Sequence, residues 1–193
     1  MLELTRKNIN ESIQLLYKPN LEHNNLILHR EQQINNINYE ISNYMSKVSL
    51  LPMNQHESDI CNSIYKCFSD IERIGDHAIN IAKHALDEQY HLTHIDLIQN
   101  ELNQLREILR QSYLVLLSDN INDETSKIVL KNEDLINELT KLYRQNQIDR
   151  LVDNQVNAID CVIYSQIMTD IERVGDHMKN IVQEREKYNF TLN

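Results

Sequence analysis

A chain of 193 residues with a formal net charge of −10 can bury a sizeable core without disulfide or metal staples, and it repels polyanions. Two glycines and two prolines in the whole sequence exclude turn-rich sheet architectures and leave long helices as the natural reading. No apolar run approaches the roughly 20 residues of a membrane span, no signal peptide opens the chain, and no basic cluster longer than a pair of residues offers a surface for nucleic acid or anionic lipid.

Apolar spacing predicts a first helix from Leu2 to Tyr17, with Leu2, Ile9, Ile13, Leu16 and Tyr17 on its stripe. Pro19 ends it, because proline lacks the amide hydrogen and clashes with the preceding turn. A second helix is expected from about Asn24 to Leu50, with Ile27, Ile34, Ile37, Ile41, Tyr44, Met45 and Val48 facing inward. After Pro52 a third begins near Asn54 and runs to Leu86, its stripe centred on Ile71. The second half repeats this layout with helices from Thr93 to Leu117, Glu124 to Asp149 and Asn154 to Lys187. A Ser118-Asp119-Asn120 break supplies a cap for the fifth helix, and Asn189 to Asn193 are expected to fray.

Each amphipathic helix needs partners to cover its stripe, and short connections favour antiparallel neighbours. The fold class is therefore all-α: six long helices in two tandem, pseudo-symmetric three-helix bundles, residues 1–90 and 91–193, hinged at His91 to Thr93. Cys61, Cys67 and Cys161 are odd in number and lie within helical patterns. They read as small core residues in a reducing cytoplasm.

One internal repeat stands out. Asp70-Ile-Glu-Arg-Ile-Gly-Asp-His-Ala-Ile-Asn-Ile81 recurs as Asp170-Ile-Glu-Arg-Val-Gly-Asp-His-Met-Lys-Asn-Ile181, and the motifs contain the chain's two glycines, Gly75 and Gly175. Glu72 and Asp76 are four residues apart, as are Glu172 and Asp176; like charges at that spacing cost an isolated helix about 0.2–0.5 kcal/mol. A helical glycine adds about 1 kcal/mol relative to alanine. A bound cation would reverse the first cost, and close approach of a neighbouring helix would explain the second. That neighbour can supply Glu31 and Asn35 in the first half, and Glu133 and Asn137 in the second. Oxygen donors of this kind suit Mg²⁺, Mn²⁺, Ca²⁺ or iron, with zinc also open. The competing reading is an ordinary ion-pair cluster, with Arg73 bridging Asp70 and Asp76. His77 and His177 read as hydrogen-bonding residues ahead of ligands.

The paired D-I-E-R-[IV]-G-D-H-x-x-N-I segments resemble the signature of PhoU-like proteins, duplicated three-helix bundles associated with bacterial phosphate uptake and its regulation. The stretch Glu40-Ile-Ser-Asn-Tyr-Met-Ser-Lys-Val-Ser49 looks most like one branch, the cytoplasmic domain that follows the membrane part of sodium-dependent phosphate cotransporters. The stand-alone regulator of the ATP-driven phosphate transporter is the second choice. The resemblance implies a non-enzymatic regulatory domain at the inner face of the membrane, fused to or docked on a phosphate transporter, without membrane insertion of its own. A homodimer stays open. It also implies metal sites, reported in the family as iron or zinc clusters. By position their ligands are Glu31, Asn35, Glu72 and Asp76, and Glu133, Asn137, Glu172 and Asp176. Asn35 and Asn137 depart from the family pattern, each replacing an acid. The alternatives are a metal-free helical adaptor and a metal-dependent enzyme of di-iron type. For the enzyme the sequence offers only one Glu-x-x-His pair, Glu88-Gln-Tyr-His91, at a predicted junction.

Overall fold

The computed structural model describes residues 1–86 and 92–188. Six α-helices form it: α1 (Leu2–Tyr17), α2 (Leu21–Val48), α3 (Gln55–Leu86), α4 (Gln99–Leu116), α5 (Asp123–Val152) and α6 (Ala158–Tyr188). A 3₁₀ turn, Ile95–Leu97, precedes α4, and no strand occurs among the described residues. The Glu88–His91 pair and the fraying expected of Asn189 to Asn193 fall outside the described residues.

Capping chemistry sets most of the boundaries that hydrophobic spacing misses. The Asn20 side chain accepts from the His23 amide at 3.1 Å, so α2 begins at Leu21, ahead of the expected start at Asn24. At the start of α3, Asn54 and Glu57 cap each other: Asn54 Oδ1 accepts from the Glu57 amide at 3.0 Å, and Glu57 Oε2 from the Asn54 amide at 2.9 Å. The cap of α5 is Asn122, which accepts from the Thr125 amide at 2.9 Å, and not the preceding Ser118–Asn120 stretch. Asn154 takes a left-handed φ of 56° beyond the end of α5, so α6 starts four residues later than expected, behind Asn157. The fourth helix is shorter than predicted because Thr93 is diverted to α6. Its amide and hydroxyl donate to the buried Asp160 carboxylate at 2.9 and 2.8 Å.

Helices α1, α2 and α3 pack on one another, as do α4, α5 and α6. The two trios join where α3 meets α6 and α1 meets α4, whereas α2 and α5 touch no helix outside their own trio among the described residues. The core runs along the joining helices. Ile71, Ile74, Ala78 and Ile81 of α3 and Ile171, Val174, Met178 and Ile181 of α6 are all buried. Burial of each large aliphatic side chain contributes about 1.5–3 kcal/mol.

The outer helices are only partly covered. Of the stripe expected on α2, Ile27 and Ile34 are buried, Ile37, Ile41, Met45 and Val48 are half-buried, and Tyr44 is exposed. With no third helix to lie against, the far end of α2 has less to bury. Of the cysteines only Cys67 is a core residue, and burial pushes its thiol up to about 12; Cys61 and Cys161 are half-buried.

Candidate functional site

The repeated motif places the same residue types on α3 and α6, and the two helices use them in two directions. Toward each other they present the aspartate and histidine. His77 Nδ1 lies 2.7 Å from Asp170 Oδ1, and His177 Nδ1 lies 2.8 Å from Asp70 Oδ1. An ionised carboxylate can only accept, so the ring nitrogen carries the proton in each pair. The two imidazoles stack with centroids 5.6 Å apart. Asp70 is therefore engaged across the seam and not by Arg73, as the competing reading of a cluster within one helix would have it.

Toward the outer helices the motif presents its glycine and its Glu/Asp pair. At Gly75 a Cβ would stand 2.6 Å from Glu31 Oε2 and 3.4 Å from Ile34 Cδ1. At Gly175 it would meet Ile136 Cδ1 at 3.3 Å and Glu133 Cγ at 3.8 Å. Both glycines thus let the outer helix approach, but only in the first repeat does the approach bring a carboxylate oxygen against the backbone. Gly175→Ala is expected to be neutral or mildly stabilising, because the helix-propensity gain of about 1 kcal/mol needs only a small shift of one isoleucine tip. Gly75→Ala must push the buried Glu31 carboxyl aside and is expected to gain less or lose. Equal melting temperatures for the two variants would contradict the asymmetry.

In the first repeat, Glu31 is 8 % exposed and neither of its carboxylate oxygens has a hydrogen-bond partner. Burial, then the charges of Asp76 and Glu72, push its pKa up to about 7. Asn35 and Asp76 lie near enough to weigh on that value without forming a hydrogen bond of normal geometry. Glu72 is also raised, by burial and by Asp76, with Arg73 only partly opposing. No cation among the described residues forms an ion pair with Glu31, Glu72 or Asp76. Asp76 and Asn35 are exposed, so the cluster runs from a buried carboxylate out to solvent.

In the second repeat, the equivalent acids are engaged. Asn137 Nδ2 donates to Glu133 Oε1 at 2.8 Å, and Lys179 Nζ to Glu133 Oε2 at 2.9 Å. Arg144 grips Glu172 through two hydrogen bonds, Nη1 to Oε1 at 3.0 Å and Nη2 to Oε2 at 2.6 Å, and Thr140 Oγ1 donates to the same carboxylate at 2.7 Å. Burial would raise Glu172, but the hydrogen bonds from Arg144 and Thr140 and the charges of Arg144 and Arg173 hold it below the usual glutamate range. Asp176 pairs with Arg173 at 3.2 Å. Lys179 and Arg144 are members of this cluster that motif spacing does not mark.

A fit to metal can be tested repeat by repeat. As the side chains stand, no three His, Cys, Asp or Glu groups among the described residues converge closely enough to hold an ion. The first repeat nevertheless has the donors a cation needs: three acids, one of them buried without a hydrogen-bond partner, and a carbonyl oxygen. The second repeat does not fit, because lysine and arginine already neutralise its acids.

The chain is similar to known proteins in both sequence and fold. It is 25% identical over 189 residues to the "Phosphate-specific transport system accessory protein PhoU homolog 1" of Thermotoga maritima, covering 95% of this chain and 80% of that one. It is 21% identical over 187 residues to the PhoU homolog of Clostridium acetobutylicum, covering 95% and 84%. Among solved structures, PhoU from Pseudomonas aeruginosa superposes with a TM-score of 0.77 at 18% identity, over 95% of this chain and 89% of that one. The phosphate transport system regulatory protein PhoU from Streptococcus pneumoniae gives 0.75 at 20% identity, over 100% and 92%. The family model described as PhoU domain matches residues 1–85 and 98–184, each stretch holding one copy of the motif, and on that match this chain belongs to the PhoU family.

Proposed function

We propose that this chain is a non-catalytic regulator of phosphate transport, docked on or joined to a membrane phosphate transporter at its cytoplasmic face, with a divalent-cation site in its first repeat. Family membership and relatives described as phosphate-specific transport accessory proteins support the regulatory role. The acidic surface and the lack, among the described residues, of any helix long and apolar enough to cross a membrane agree with a partner that carries the membrane part. The cotransporter branch is our choice of partner on the strength of residues 40–49.

One observation carries the cation site: a carboxylate buried to 8 % exposure with no hydrogen bond and two further acids beside it. Such a group is costly unless it takes up a proton or a positive charge joins it. Glu31, Glu72 and Asp76 would hold the ion, with Asn35 adding a neutral oxygen. This oxygen-only set suits Mn²⁺, Mg²⁺ or Ca²⁺ by its chemistry, and the family resemblance adds iron and zinc as competitors. Bound there, the ion would neutralise the three acids and tie α2 to α3. With Asn35 in place of a fourth acid, the site carries one negative charge fewer than the family pattern.

Two measurements test the proposal. Cells lacking this chain are expected to change their phosphate uptake and its response to phosphate supply, and the Glu72→Ala/Asp76→Ala variant is expected to fail to restore them. Uptake that is identical with and without the chain would overturn the regulatory reading. Elemental analysis of protein purified without chelator should find bound metal; its absence at micromolar supply would leave a metal-free adaptor.

A further inference from the structure

The two acid clusters are alike in sequence and opposite in charge balance. In the first, Glu31, Glu72 and Asp76 share no paired cation among the described residues, and Glu31 is buried without a hydrogen-bond partner there. In the second, Glu133 has the Lys179 ammonium at 2.9 Å and Glu172 has both arms of the Arg144 guanidinium. The difference traces to two positions. Lys179 stands where the first motif has Ile79, and Arg144 stands where α2 has Ser42 once Glu31 is aligned with Glu133. Ile79 is half-buried and packs against the core, and Ser42 carries no charge to offer Glu72.

We infer that the second repeat is a charge-compensated copy of the site, in which Arg144 and Lys179 supply the positive charge that a divalent cation supplies in the first, so that this chain loads metal in one repeat only. The inference rests on the cation site proposed above for the first repeat. Its physical basis is occupancy as well as repulsion. A two-point guanidinium grip, with Thr140 on the same carboxylate, takes up three of the roughly four lone-pair sites of Glu172 that a metal would compete for. The Lys179 ammonium holds one oxygen of Glu133, and the Asn137 amide the other. An entering dication would have to break these contacts and sit beside two displaced positive charges.

Chelator-stripped full-length protein titrated with Mn²⁺ tests the inference, with binding followed by calorimetry and by electron paramagnetic resonance. Wild type should show one class of site that Glu31→Gln abolishes and Glu133→Gln leaves intact. The Arg144→Ser/Lys179→Ile variant should gain a second class that adding Glu133→Gln removes again. Its melting temperature without metal should fall, and Mn²⁺ should restore it even in the Glu31→Gln background. If this variant does not fold, Arg144→Gln/Lys179→Met keeps more of the packing and serves the same purpose.

Loss of half the wild-type Mn²⁺ on Glu133→Gln would overturn the inference, as would a folded double variant that gains no site. Failure of the underlying reading looks different: wild type binds no Mn²⁺ at all. In that event a second-repeat site that appears on removing Arg144 and Lys179 still supports compensation, and its non-appearance overturns it.

Discussion

Glu31→Gln should make the metal-free protein more stable above pH 7 by about 3 kcal/mol, and should abolish cation binding in the first repeat. The sign follows from the raised pKa. An unfolded glutamate titrates near 4.5 and the folded one near 7, so between those values the folded state holds a proton that the unfolded state has released. The stability that the protonated carboxyl allows is complete below pH 4.5, declines as pH rises through 7, and is absent above that. Glutamine keeps the shape of the protonated acid, cannot ionise, and can donate its amide hydrogens toward Glu72 and Asp76. Urea unfolding of both proteins in chelator, from pH 4 to 9, isolates this term, because shared groups such as Glu172 cancel in the difference. Parallel curves would mean that Glu31 titrates alike in the folded and unfolded states, and would contradict the raised pKa. A gain in apo stability together with a loss of cation affinity would be the mark of a residue held for binding and not for folding.

Arg185→Leu should cost about 3 kcal/mol, since it leaves two carbonyls without their donor at about 1–3 kcal/mol each. Arg185 is 2 % exposed, yet it reaches the end of α4, where Nη1 donates to the Leu116 carbonyl at 2.5 Å and Nη2 to the Ser118 carbonyl at 2.9 Å. The last carbonyls of a helix have no amide of their own helix to accept from, so α6 provides the cap that α4 lacks. Burial lowers the pKa of the guanidinium, which remains charged because its ordinary value is so high. The denaturation midpoint should fall with an unchanged denaturant slope. Arg185→Lys, which keeps the charge but loses the planar fork that spans the two carbonyls, should fall between wild type and Arg185→Leu. A loss below about 1 kcal/mol for Arg185→Leu would mean that the carbonyls find other donors.

Helix number, order and approximate limits were readable because apolar residues recur with the helical period over long stretches, and the prolines mark the first two breaks. The glycines in the motif were readable as close-approach points, since Gly75 and Gly175 do meet Glu31 and Ile136. Pairings between helices were not. Nothing in the spacing of Asp70 and His77 shows that each will take its partner from the other motif copy, because that depends on how α3 lies on α6. Lys179 and Arg144 are visible in the sequence, but only the packing of α5 on α6 shows that they reach Glu133 and Glu172. Arg185 reads as a solvated charge near a helix end, and its burial depends on the α4–α5 connection lying beside it.

The reciprocal contacts between α3 and α6 have the form of a two-fold homodimer interface: residue 70 meets 177 while 170 meets 77. A dimer of identical single repeats could satisfy the same Asp–His exchange. Every substitution in it, however, would appear at both sites at once. Joining the halves in one polypeptide keeps the shared seam and releases the sites from each other. One repeat can then keep an uncompensated acid cluster while the other accepts a lysine and an arginine. In that sense covalent linkage lets a symmetric scaffold carry two unequal sites.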